Sequence, residues 1–99
     1  MTKVLEGSIS IMYKQDKVWV KRKQQKISGV TLEGHYGDSD AVRNKILFDT
    51  DEQGNFSLEF NSGYNDTLVF SYNDGVKNYK STKISHNGDA KLVVVLKEE

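Results

Sequence analysis

The stretch at residues 49–72, DTDEQGNFSLEFNSGYNDTLVFSY, most constrains what this chain can fold into. In an extended backbone Phe56, Leu58 and Phe60 fall on one side, with Ser57 and Glu59 on the other. After a short polar connector, Leu68, Phe70 and Tyr72 share one face, and Thr67, Val69 and Ser71 share the opposite one. A period of two, repeated across turn-forming residues, predicts two half-buried antiparallel strands joined as a hairpin at the centre of the fold.

The same period recurs along the chain. Residues 7–13 alternate Ile9, Ile11 and Tyr13 against Ser8, Ser10 and Met12. In residues 17–23, KVWVKRK, Val18 and Val20 oppose Lys17, Trp19, Lys21 and Lys23. Lysines along one side blunt a sheet edge against association, so this segment is expected at an edge. Strands are also predicted at 29–34, 45–49, 79–84 and 90–96. The last, AKLVVVL, is apolar on both faces and should be covered on both. Between them, Asp51 to Gly54 and Asn73-Asp74-Gly75 read as tight turns. Residues 86–89, HNGD, read as a further turn, and 35–43 as a loop in which Asp40 could cap one helical turn. About eight short strands with no helical period predict an all-β fold. The expected form is a seven- to eight-stranded antiparallel β-sandwich with Greek-key connections.

Ninety-nine residues make one domain, 1–99, with a single core. The chain has no cysteine and no proline, so packing must hold it without disulfides, and thiolate chemistry is excluded. Net charge is zero, which argues against a nucleic-acid partner, and no apolar run is long enough to span a membrane. The charge is uneven, however. Residues 14–26 hold six basic side chains against Asp16, whereas residues 33–66 hold eight acids against Arg43 and Lys45. Such polarity either solvates two outer faces or orients a partner.

Four motifs carry a family resemblance. Gly29, Val30 and Leu32 are followed by Thr50, Asp51, Gly54, Phe56 and Leu58, then by Leu68, Phe70, Ser71 and Tyr72, and finally by an apolar strand ending in Leu96-Lys97. In order and spacing this resembles the carboxypeptidase regulatory-like domain, a prealbumin-like β-sandwich. The basic segment before Gly29 and the stretched NDGVKNY step depart from the family pattern. The resemblance implies a non-enzymatic accessory module. Similar domains stand beside carboxypeptidases, before TonB-dependent transporters and in surface or periplasmic proteins of Bacteroidetes-type bacteria. On that basis the chain is expected to lie outside the cytoplasm with its export signal missing from this sequence; a cytoplasmic protein is the alternative.

No catalytic constellation accompanies this frame. No serine sits in a Gly-x-Ser-x-Gly elbow, and neither His35 nor His86 has a second ligand at metal-binding spacing. Asp49, Asp51 and Gly54 imitate the start of a calcium loop but run directly into a strand, and Glu33, Asp38 and Asp40 form a weaker acidic group. No cofactor, metal or catalytic residue is therefore assigned. The candidate binding residues are Trp19 with Lys17, Lys21 and Lys23, on an edge to which a partner protein could add a strand. Tyr64 and Tyr79 carry an alternative reading, a small carbohydrate-binding module stacking glycans on loop tyrosines. The sequence leaves the oligomeric state open.

Overall fold

A computed structural model describes residues 2–62, 65–85 and 91–99; Tyr64, His86 and the turn expected at 86–89 lie outside them. Nine strands and no helix are found among the described residues. They are β1 (Thr2–Gln15), β2 (Val18–Lys21), β3 (Val30–His35), β4 (Val42–Phe48), β5 (Asn55–Asn61), β6 (Thr67–Asn73), β7 (Asn78–Lys80), β8 (Ile84–Ser85) and β9 (Leu92–Glu98). The helical turn expected after Asp40 is absent, because Val42 already begins β4.

The strands form one open sheet in the order β2-β1-β9-β7-β6-β3-β4, with β5 on β1 and β8 on β6. It is mixed rather than antiparallel, because the first and last long strands run side by side in the same direction, Gly7 opposite Leu92 through Met12 opposite Lys97. Gly7 and Ser8 pair with both β5 and β9, so these two strands flank β1. A Cβ at Gly7 would overlap the Leu92 carbonyl, which is why the crossing point has no side chain. On its other edge β1 is satisfied continuously. β5 covers its first half, the Ile9 N–H reaches the Gly54 carbonyl (2.8 Å), the Ile11 carbonyl accepts from Arg22 (2.8 Å), and β2 covers the end.

The central hairpin expected between 56–60 and 67–72 does not form: β5 pairs with β1, whereas β6 pairs with β3, β7 and β8. The two runs lie in different wings of the sheet and meet through their side chains. Six strand spacings, roughly 29 Å if the sheet were flat, separate β5 from β4. Yet the Phe48 and Phe56 rings are 5.3 Å apart, and Phe56 lies 5.7 Å from Phe70. The sheet is therefore folded over on itself. Leu5, Ile9, Ile11, Phe56, Phe60, Leu92, Val94 and Leu96 from one wing close on Val30, Leu32, Leu68, Phe70 and Tyr79 from the other.

The irregular segment 22–29 seals one side of this core. Ile27 is buried there, held by a reciprocal bond pair in which its N–H donates to Thr50 Oγ1 (2.8 Å) and its carbonyl accepts from the Thr50 N–H (2.9 Å). The turn after Thr50 closes as expected, with Gly54 at φ +79°. It links unpaired strands in opposite wings, so it is a corner and not a hairpin.

Candidate functional site

The β1–β2 hairpin turns through two residues, Asp16 and Lys17, both with positive φ (51° and 69°). That is the geometry whose twist suits a two-residue hairpin, adopted here without glycine. Lys17 accordingly belongs to the turn and not to the strand. The hairpin tip runs past Met12, the last β1 residue that β9 reaches, so little core lies beneath it. Val18, on the face opposite Trp19 and Lys21, is exposed for that reason.

Cross-strand register assembles the outer face. Lys14 stands opposite Trp19, and Met12 opposite Lys21, between β1 and β2. Met12 is also opposite Lys97 of β9, which is opposite Lys80 of β7. Paired residues share a face, so Lys80, Lys97, Met12 and Lys21 form one row across four strands, with Lys14 and Trp19 next to it. The ammonium groups of Lys14 and Lys97 stand 5.6 and 5.4 Å from the Trp19 ring centroid. Their stems shield part of the indole and leave it 38 % exposed. Among the described residues none of Lys14, Lys21, Lys80 and Lys97 forms an ion pair. Lys23 is exposed in the irregular segment after β2, outside the paired rows.

The other side of the same strands treats charge differently. The Arg22 Nη2 group donates to Asp74 Oδ2 (2.9 Å) and to the Tyr79 hydroxyl (2.5 Å), which itself donates to Asp74 Oδ2 (2.9 Å). Asp74 Oδ1 accepts the N–H groups of Lys77 (2.8 Å) and Val76 (2.9 Å) in the β6–β7 turn. These two N–H groups, followed by Arg22 and Tyr79, hold the Asp74 carboxyl far below the usual carboxylate range. Burial, then the hydrogen bond to Asp74, pushes the Tyr79 phenol above its ordinary value, and the bond to Asp74 does the same for Arg22. Arg22 also lies 5.1 Å from the Tyr79 ring centroid. This cluster is a structural tie between the segment after β2 and the β6–β7 turn.

Tyr79 therefore needs correcting as a candidate for glycan stacking. Its side chain is fully buried, with its ring stacked on Tyr72 at 6.0 Å and its hydroxyl committed to Asp74. The alternation that places a tyrosine in a strand cannot distinguish core from rim when the strand is three residues long. Val93 also departs from expectation: the second apolar face of β9 is open there, 78 % exposed.

The acidic candidates have local structural partners. Asp49 Oδ1 accepts the Gly29 N–H, and Asp51 Oδ1 accepts the N–H groups of Gln53 and Asn55. Glu33 Oε1 lies 3.2 Å from Nε2 of the buried His35, while Asp40 points fully into solvent. Among the described residues no group of three or more His, Asp or Glu stands close enough to hold a metal. An open cleft of about 660 Å³ is bordered by Glu6, Asp51, Phe56 and Lys91. No helix is long and apolar enough to cross a membrane among the described residues.

Sequence reasoning located Trp19 and Lys21 but not the residues that join them. Lys80 and Lys97 lie far along the chain, and only the parallel β1–β9 register brings them beside the basic segment. Arg22 and Asp74 were equally hidden, being 52 residues apart. Comparison with protein-family models, with curated proteins and with solved structures finds no match for this chain.

Proposed function

We propose that this chain is a non-enzymatic accessory module that docks another protein or domain of the cell envelope. It would do so in the manner of the carboxypeptidase regulatory-like domains that its motifs resemble. In this reading the folded-over sheet is a variant of the prealbumin-like Greek-key sandwich, a view supported by the strand motifs and by the single core shared between the two wings. The observation that carries the proposal is β2. It is a terminal strand of the sheet with Val18 and Trp19 exposed, and its outer edge is unpaired among the described residues. An edge of this kind takes up an extended segment through main-chain hydrogen bonds, with neighbouring side chains supplying selectivity.

Selection of random decapeptides displayed on phage tests the reading. Extended peptides that bind the chain and lose binding to Trp19→Ala are the expected result. If no peptide is enriched, or if every enriched peptide ignores Trp19, docking at this edge is wrong.

A further inference from the structure

The unpaired edge and the lysine row together specify the chemistry of the segment that docks, an inference that rests on the docking reading above. We infer that β2 receives an extended acidic peptide, one with carboxylates at alternate positions. Two features carry this.

The first is the row itself. Lys80 and Lys97 stand directly opposite each other on adjacent strands, an arrangement that destabilises a sheet. Neither has an ion pair among the described residues, and Lys21 and Lys14 extend the same uncompensated charge toward the open edge. Edge protection accounts for a lysine on β2. It does not account for two facing lysines within the sheet, on β7 and β9. An anionic strand on β2 would meet Lys21 and Lys14 directly and Lys97 through its reach over the Trp19 ring, whereas Lys80, two strands further in, would feel it only weakly.

The second is backbone direction. The Arg22 N–H bonds back to the Ile11 carbonyl (2.8 Å), which sets the phase of the antiparallel ladder. Alternation then turns Val20 and Val18 toward β1 and leaves the N–H and C=O groups of Trp19 and Lys21 facing the open edge. A strand bonded to those groups places its own residues in the two rows already described. The residue opposite Lys21 continues the row of Lys80, Lys97 and Met12, where a carboxylate is favoured. The residue opposite Trp19 lies against the indole and Lys14. Alternate positions of the incoming strand point to the other face, which carries no lysine from this row. An acidic residue at every second position therefore meets the charge, and the strand supplies the hydrogen bonds.

The test uses three ten-residue peptides that alternate valine with Glu, Gln or Lys, read by amide hydrogen exchange at Trp19 and Lys21 and by Trp19 fluorescence. The Glu peptide should slow exchange at both amides. Its affinity should fall about tenfold or more on raising salt from 0.05 to 0.5 M. Lys21→Glu and Lys97→Glu should each weaken it and shift preference toward the Lys peptide. Equal protection by the Glu and Gln peptides overturns the acidic partner while leaving docking at the edge intact. Failure of all three to protect Trp19 and Lys21 overturns the inference, and if phage selection also yields no Trp19-dependent binder the docking reading falls with it. A heparin oligosaccharide or a single-stranded oligonucleotide that binds more tightly than the Glu peptide at this face would replace the peptide with another polyanion.

Discussion

Strands β7 and β9 handle charge in opposite ways on their two sides. Inside, Tyr79 carries a hydroxyl shared by Arg22 and Asp74, and the neighbouring Glu98 is bonded to Lys77 at 2.8 Å. Every charge there has a partner of opposite sign or a backbone donor. Outside, one residue along each strand, Lys80 faces Lys97 and neither forms an ion pair among the described residues. The same strands thus hold a compensated cluster that ties the fold together and a lysine row without ion pairs, whose contact with the fold is that of Lys97 with the Trp19 ring.

Breaking the inner side should have the largest effect. Tyr79→Ala removes a fully buried ring and leaves Arg22 and Asp74 facing a cavity. A loss of about 3–5 kcal/mol is expected in urea denaturation. A change under about 1 kcal/mol would show that the cluster is not a tie.

Asp74→Asn should be milder and should reveal itself through pH. The native state holds the Asp74 carboxyl well below its unfolded value, so its ionised form favours folding. That contribution is complete above about pH 5 and is lost progressively as pH falls through and below the ordinary carboxylate range. Denaturation curves at several pH values should show wild type losing more stability than Asp74→Asn between about pH 5 and 2. Parallel losses in the two proteins would rule out the role assigned to Asp74.

On the outer side the sign reverses. Lys80→Glu converts a like-charge cross-strand pair into an opposite one and should raise stability by about 0.2–1 kcal/mol at low salt. A variant less stable than wild type would mean that Lys80 already has a compensating contact. Smallest of all, Trp19→Ala should shift stability by no more than about 0.5 kcal/mol, because the hairpin tip covers little core. A larger loss would make the indole a structural residue and remove it from the docking surface.

The inward faces were legible wherever alternation ran long enough. Phe56, Phe60, Leu68, Phe70, Val94 and Leu96 are all buried as their period requires. Val69 is buried as well, although its parity points outward. Period two states which residues of one strand share a face; it says nothing about which strand lies alongside. That gap explains why β5 and β6 were expected as a hairpin and are found in opposite wings. It also hid the lysine row. The basic segment contributed Lys14 and Lys21, but its extension through Lys97 and Lys80 depends on the first and last strands running in parallel. Local chemistry fared better: the turns at Asp51 and Asp74 form with the glycine conformations that their sequences demand, Gly54 at φ +79° and Gly75 at φ +95°.

A double-mutant cycle between Lys80 and Lys97, with alanine at each position and stability measured at low and high salt, tests the uncompensated row most directly. The account predicts a repulsive coupling at low salt that disappears as salt screens the pair, with Lys80→Ala at least as stable as wild type. An attractive coupling, or none at low salt, would mean that the two lysines are already compensated, and the case for an acidic partner on this face would be lost.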